Sequence, residues 1–236
     1  MLLSKKLAGC LENLKVSVII PTLNEEDAIG KVLAEVQTVK VVDEVIVVDS
    51  STDATSKIAE SFGAKVIFES KEGYGRALQS GMNKAGGDVV VYIDGDYTYD
   101  SKDISRIVGP ILSGKYDVVL GNRLNKRMQN GAMNLLNRFG NTLISLIFSL
   151  IFFRKLDDTQ CGLRAIRKRF LQEFSYENYG MPYVTEQLIK LVKKGARIGN
   201  VAVTYRPRIG TTKLCSWTDG FKILRVIFRE CFWGGK

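Results

Sequence analysis

Two aspartates one residue apart, Asp94 and Asp96, follow the apolar run Val89-Val90-Val91-Tyr92-Ile93, with Asp100 and Asp103 close behind. Hard carboxylate oxygens at this spacing suit Mg²⁺ or Mn²⁺, which keeps several waters and takes its remaining ligands from substrate phosphates. Taken alone, the same residues also read as a solvated acidic turn in which Gly95 only serves the backbone. The rest of the chain narrows the chemistry. It contains no histidine, so imidazole acid–base catalysis and histidine-based triads are excluded, which leaves carboxylates, Lys, Arg, Tyr, Cys and metal ions.

Other reactive side chains recur at the ends of apolar runs. Asp49 precedes Ser50-Ser51-Thr52-Asp53 and is placed to accept hydrogen bonds from a nucleobase or ribose, whereas Asp53 reads as a helix cap. Pro21-Thr22-Leu23-Asn24-Glu25 occupies the equivalent turn after the first run, with neither a GxGxxG loop nor a P-loop lysine, so phosphate must be held by metal and side chains. Lys71-Glu72-Gly73-Tyr74-Gly75-Arg76 offers a flexible loop and a guanidinium at a helix start, a nucleotide contact for which a structural turn is the plain alternative. Arg123 follows another apolar run, and Arg138 comes later with Thr142 one helical turn on. Arginine forks suit phosphate oxygens, and a solvated basic face is the plain alternative. Arg206, Arg208 and Lys213 surround Gly210-Thr211-Thr212, a small-residue loop able to close over a diphosphate.

The elements that must position these residues alternate strand and helix. Val16 to Ile20 and Glu44 to Val48 read as buried parallel strands, with a helix from about Glu25 to Val36 capped by Asn24 or Thr22. Thr52 to Phe62 and Gly75 to Ala85 read as helices, Lys65 to Phe68 and Asp88 to Ile93 as strands. Ile104 to Leu112 is a further helix and Asp117 to Gly121 a further strand, followed by long Arg-studded helices through Phe153. The carboxylates thus fall at the C-terminal strand edge, where ligands bind in open α/β sheets.

Lys and Arg number 34 against 25 Asp and Glu, a formal charge of +9, which predicts an anionic partner. No nucleic-acid recognition motif accompanies the charge, so no nucleic acid is expected. Cys10, Cys161, Cys215 and Cys231 form no CxxC pair, in keeping with a reduced, cytoplasmic setting. The apolar run Leu143 to Phe153 is shorter than the roughly 20 residues that span a bilayer. With its basic flanks, and with Phe221 to Trp233 interleaved by Lys222, Arg225 and Arg229, it reads instead as membrane-surface amphipathic helix.

In order along the chain, Val18-Ile19-Ile20-Pro21-Thr22-Leu23-Asn24-Glu25, Val47-Val48-Asp49-Ser50, Asp94-Gly95-Asp96, Gly121-Asn122-Arg123, Asp158-Thr159-Gln160-Cys161-Gly162-Leu163-Arg164, Glu186 and Arg208-Ile209-Gly210-Thr211-Thr212-Lys213-Leu214 resemble the family 2 inverting glycosyltransferases, nearest their dolichyl-phosphate mannose synthase branch. The resemblance spans about Lys15 to Trp217. It implies a GT-A fold: an α/β domain with a mostly parallel nucleotide-binding sheet flanked by helices, and C-terminal amphipathic interfacial helices. The corresponding segments are an N-terminal surface helix at 1–15, a GT-A domain at 16–217 (donor half 16–122, acceptor half 123–217) and an amphipathic helix at 218–236.

The resemblance also implies a nucleotide-sugar, GDP-mannose or UDP-glucose, held near Pro21, Thr22, Asn24, Glu25, Asp49 and Arg76, and a Mg²⁺ or Mn²⁺ at Asp96 with Asp94 beside it. Arg208 and Lys213 would lie over the donor diphosphate. Arg123, Arg138 and Thr142 would grip the phosphate of a dolichyl or polyprenyl acceptor at the cytoplasmic face of a membrane. Three positions depart from the pattern: Thr142 where serine is usual, Gly95 where alanine is common, and Thr98 where some synthases place a glutamine ligand. A non-lipid acceptor, a sugar nucleotidyltransferase and a noncatalytic nucleotide-binding module are the competing readings. The glycine-rich GGxGTRL start of the nucleotidyltransferases is absent.

Overall fold

The structure, a computed structural model, describes residues 14–171, 174–212 and 216–232. The helix expected at 1–15, apart from its last two residues, lies outside them, as do Lys213 and Trp233. Seven strands form one sheet: β1 (Val16–Thr22), β2 (Glu44–Asp49), β3 (Lys65–Phe68), β4 (Val89–Tyr92), β5 (Val118–Asn122), β6 (Arg164–Arg167) and β7 (Ile198–Ala202), in the order β3-β2-β1-β4-β6-β5-β7. All neighbours run parallel except β6, which is antiparallel to both β4 and β5.

The helices are α1 (Glu26–Val36), α2 (Thr55–Ser61), α3 (Tyr74–Lys84), α4 (Asp103–Leu112), α5 (Leu135–Phe152), α6 (Tyr183–Lys193) and α7 (Ser216–Phe232). Both faces of the sheet are covered, which is why β1, β2 and β4 are dominated by apolar, mostly β-branched residues. Ile19, Val90 and Tyr92 point into a core shared with Leu78 of α3, Phe148 of α5, Leu188 of α6 and Ile227 of α7. Val18, Ile20, Val89 and Val91 point the other way, against Leu33 of α1 and Ile107 of α4.

The β1, β2 and β4 expectations match the observed strands, but β6 and β7 carry no comparable apolar run. In β6, Arg164 and Arg167 bracket Ala165 and Ile166, and all four are buried. The Arg164 guanidinium is held by the carbonyls of Cys161, Thr159 and Val184, so a polar sequence forms an interior strand. Asn24 and Thr22 do not cap α1. The cap is crossed between helices: the Asp53 carboxylate accepts from the Glu26 amide at the start of α1 (3.3 Å), and the Glu26 carboxylate accepts from the Ala54 amide at the start of α2 (3.0 Å).

The apolar run at 143–153 is part of a longer helix than expected. α5 has 18 residues, about 27 Å of rise, and it is long and apolar enough to cross a membrane by length and composition. It nevertheless lies against the domain and α7. Ser145 Oγ accepts from the Thr159 amide (2.9 Å) and Ser149 Oγ from the Leu156 amide (3.1 Å).

Close packing of α3 on the sheet depends on Gly81, where an added Cβ would lie 2.5 Å from Ile19 Cγ2 and 3.0 Å from Val48 Cγ2. Both neighbours sit on buried central strands. Gly81→Val is therefore expected to destabilise the fold by about 2 kcal/mol or more through overpacking, seen as a Tm loss of at least about 4 °C by calorimetry.

Candidate active site

β4 ends between β1, which is parallel to it, and β6, which is reversed. Its C-terminal end therefore meets the C-terminal end of β1 on one side and the segment leading into β6 on the other. Asp94 and Asp96 stand at this junction. Gly95 between them fits closely, since a Cβ there would come 2.7 Å from Thr22 Cγ2; the side chain of Thr22 accounts for glycine where alanine is common. The turn continues through Tyr97 at φ 66, a left-handed conformation that costs a non-glycine residue energy and persists only when its surroundings enforce it. Here the Tyr97 hydroxyl donates to Glu35 (2.7 Å), and the Arg206 guanidinium lies 4.7 Å from its ring centroid.

Asp96 is held by three donors. Its Oδ1 accepts from the Thr98 amide (3.1 Å) and hydroxyl (2.6 Å), and its Oδ2 from Arg208 Nη1 (2.8 Å). The same guanidinium bridges to Glu25 through Nη2. Segment 206–209 is drawn onto the acidic turn by Arg206 N–H donating to Thr98 O (2.7 Å) and Ile209 N–H to Asp96 O (3.1 Å). Asp94 has a sparser shell: its Oδ1 accepts from the Tyr74 hydroxyl at 2.8 Å. A Cβ at Gly162 would lie 2.5 Å from Asp94 Oδ2, so the lead-in to β6 fits against this carboxylate only as glycine.

Burial and the charge of Asp96 push the Asp94 carboxyl up to about 6, against the Tyr74 hydrogen bond and the positive charges of Arg123 and Arg208. Arg208 acts as the counter-cation for a concentrated negative pole. Among the described residues no group of three or more Asp, Glu, Cys or His side chains could hold a metal. Two carboxylates with a guanidinium lying against one of them fit a Mg²⁺ or Mn²⁺ completed by substrate oxygens and water, not an all-protein cage. The Thr98 hydroxyl donates to Asp96 and orients it.

Asp94, Asp96, Glu25 and Arg208 are brought together, and Arg123 is close enough to lower the Asp94 carboxyl. Arg123 is 8% exposed and gives a fork to the fully buried Asp158, Nε to Oδ2 at 2.7 Å and Nη2 to Oδ1 at 2.9 Å, and lies over the Tyr205 ring. Asp49 is fully buried and accepts from the hydroxyls of Thr22 (2.6 Å), Ser51 (2.5 Å) and Ser56. Asn24 joins the same two turns by accepting from the Thr52 amide (2.9 Å), and Pro21 pairs with Val48 across β1 and β2. Asp53 does cap, accepting from the Thr55 amide (2.9 Å). Arg76 lies 4.3 Å from the Tyr179 ring centroid. Arg138 and Thr142 are exposed on α5, where the Thr142 hydroxyl donates to the Arg138 carbonyl (2.8 Å). Arg206 is committed to Glu35 (2.9 Å) and Asp100 (3.0 Å).

Sequence reading gave no role to Tyr74, Asp158 or Gly162. The first was signalled by its flanking glycines, and the other two by their place in the 158–164 motif. Glu186 is buried on α6 and accepts from the amides of Glu177 (3.0 Å) and Asn178 (3.0 Å) and from Lys190 Nζ (2.6 Å), so it shapes the loop whose Tyr179 stacks on Arg76.

Residues 17–174 match the glycosyl transferase family 2 domain. The chain is 36% identical over 219 residues to a dolichyl-phosphate hexose transferase of Haloferax volcanii, covering 91% of this chain and 93% of that protein. It is 31% identical to a UDP-N-acetylglucosamine–dolichyl-phosphate N-acetylglucosaminyltransferase of Methanococcus voltae, over 79% of this chain and 83% of that one. Glucosyl-3-phosphoglycerate synthase of Mycobacterium tuberculosis, solved in complex with phosphoglyceric acid, superposes with a TM-score of 0.77 at 22% identity, covering 97% of this chain and 84% of that chain. That likeness establishes the GT-A fold.

The crowding of Asp94 has a measurable cost. Its folded pKa of about 6 lies above the ordinary 3.8, so the charged form weakens the fold above about pH 6, and the penalty fades as pH falls toward 4. Asp94→Asn is expected to stabilise the chain at pH 7.5 by on the order of 1 to 2 kcal/mol, allowing for partial solvent screening. Urea titrations at pH 7.5 and pH 4.5 test this: the gain must shrink at the lower pH, and destabilisation at pH 7.5 would refute it.

Proposed function

The chain belongs to glycosyl transferase family 2, and we propose that it transfers a hexose from a nucleotide-sugar to the phosphate of a membrane-borne polyprenol such as dolichyl phosphate, with inversion at the anomeric carbon. The observation that carries this reading is the pairing of an acidic crevice with an exposed apolar surface on the same domain. On α5, Leu135, Phe139, Leu143, Leu146 and Leu150 are all exposed, at spacings of three and four that place them on one helical stripe, and Phe153 just past its end is exposed as well. Phe221, Phe228 and Phe232 of α7 are exposed as well, and α7 packs on α5. Arg138, Arg154, Lys155, Lys222 and Arg225 are exposed on or beside these helices. An apolar stripe with a basic border suits the headgroup region of an anionic membrane. The opposite face of α5 is pinned to the domain through Ser145 and Ser149, which favours lying in the interface over crossing it. The relative in Haloferax volcanii, named as a dolichyl-phosphate hexose transferase, supports the choice of acceptor.

In this reading the nucleotide lies along the turns at Pro21, Thr22, Asn24 and Glu25, near Arg76. Asp49, which accepts from three hydroxyls, braces that floor. Asp94 and Asp96 would hold Mg²⁺ or Mn²⁺, which when bound supplies positive charge against the departing diphosphate. Arg208, which bridges Asp96 and Glu25, has diphosphate oxygens to move to once a donor arrives, with Lys213 beyond it in the chain. Arg123 keeps Nη1 without a protein partner among the described residues, and this nitrogen, with Arg138 and Thr142, would align the acceptor phosphate. A phosphate oxygen is already ionised at neutral pH, so the attack needs no strong general base, in keeping with a chain that lacks histidine.

The test is incubation with labelled GDP-mannose or UDP-glucose, Mn²⁺ and vesicles carrying polyprenyl phosphate. Label is expected in the organic extract, with Asp96→Ala reducing it about a hundredfold or more. Label transferred only to a soluble phosphorylated acceptor, or no transfer at all, rejects the lipid acceptor. In parallel, Leu143→Ser, Leu146→Ser and Leu150→Ser combined are expected to keep the Tm within about 3 °C, because the positions are exposed, while cutting vesicle co-sedimentation about tenfold or more. Unchanged co-sedimentation would reject the interfacial stripe.

A further inference from the structure

Tyr74 opens α3, and its hydroxyl reaches the carboxylate of Asp94, 20 residues away, at 2.8 Å. Two glycines deliver it there. Gly73 has φ 149, and a Cβ on it would lie 2.6 Å from Tyr179 O. At Gly75 a Cβ would lie 2.3 Å from Tyr183 Cβ on α6. Any larger residue at either position would hold the start of α3 away from α6 and withdraw the phenol from the crevice. The chain thus combines a backbone conformation open to glycine with two approaches that leave no room for a side chain, and the residue they flank touches Asp94.

The two carboxylates differ in how they are held. Asp96 has a guanidinium, a hydroxyl and an amide. Asp94 faces the charge of Asp96 and has, among the described residues, the neutral phenol as its hydrogen-bond donor. Neighbouring like charges repel, and a carboxylate with no donor would turn away from its neighbour. We propose that Tyr74 is a positioning residue for sugar transfer: its hydroxyl pins Asp94 Oδ1, so that the carboxylate, packed against Gly162, keeps one orientation toward the cation and donor beside Asp96. This rests on the metal-dependent donor site proposed above.

Tyr74→Phe removes the hydroxyl and leaves the ring packing in place. Loss of a hydrogen bond to a charged group predicts about a tenfold fall in kcat and about a fivefold rise in the Mn²⁺ concentration for half-maximal rate. KM for the polyprenyl phosphate should stay within about twofold, and the Tm within about 3 °C. A purely structural role would instead move Tm and acceptor KM together. Mn²⁺ binding to the donor-free protein, read from the electron paramagnetic resonance signal of the unbound ion, provides a measurement independent of turnover. Weakening by about fivefold in Tyr74→Phe supports the assignment, and unchanged binding overturns it. A wild-type protein that binds Mn²⁺ but transfers no sugar would refute the proposed reaction while leaving this comparison readable. A wild-type protein that binds no Mn²⁺ overturns both.

Discussion

Two carboxylates forced together at the end of a buried central strand are the constraint around which the crevice is organised. Desolvation and repulsion from Asp96 oppose the charged state of Asp94, and the chain surrounds the two carboxylates with a guanidinium, two donors from Thr98 and a phenol. None of these comes from β4 itself. The offset is incomplete, since Asp94 remains well above the ordinary carboxylate range. Residual destabilisation of this kind is common where a site is kept ready for a cation or charged ligand.

The reversal of β6 lets the donors converge. A parallel β6 would deliver its lead-in to the opposite edge of the sheet. Being antiparallel to β4 and β5, it brings residues 158–163 to the edge where those strands end. Asp158 then meets Arg123 in a buried fork, and Gly162 meets Asp94. A buried pair of this geometry contributes little net stability, because desolvation offsets the attraction, but losing one partner strands a charge at a cost of about 3 to 5 kcal/mol. Its consequence is directional: the guanidinium is held in one orientation, with a nitrogen to spare.

The same segment links the crevice to the exposed helices. Thr159 and Leu156, on either side of Asp158, donate to Ser145 and Ser149 of α5. A helix whose stripe of leucines and phenylalanines faces outward is thereby fixed against the residues that orient Arg123. The position of α5 and the placement of Arg123 are therefore mechanically connected through residues 156–159.

Local chemistry made part of this legible in the chain alone. Apolar runs ended by Pro21, Asp49 and Asp94 identify buried strands and place carboxylates at their C-terminal edge, because side-chain alternation is a property of neighbouring residues. The absence of histidine and of a glycine-rich phosphate loop likewise restricted the chemistry without any coordinates. Which donor serves which carboxylate was decided only by the tertiary structure. Arg206 and Arg208 are two residues apart, yet one is bound to Glu35 and Asp100 and the other to Glu25 and Asp96. Asp49, which reads as a ligand contact, is buried and accepts from three hydroxyls drawn from two different turns. Strand β6 and the full length of α5 were hidden because buried arginines look polar and a helix boundary is set by what it packs on. Hydrogen-bonding capacity is written in residue type, but a partner is chosen by which groups share a desolvated space, and that depends on strand order and on glycines that allow close approach.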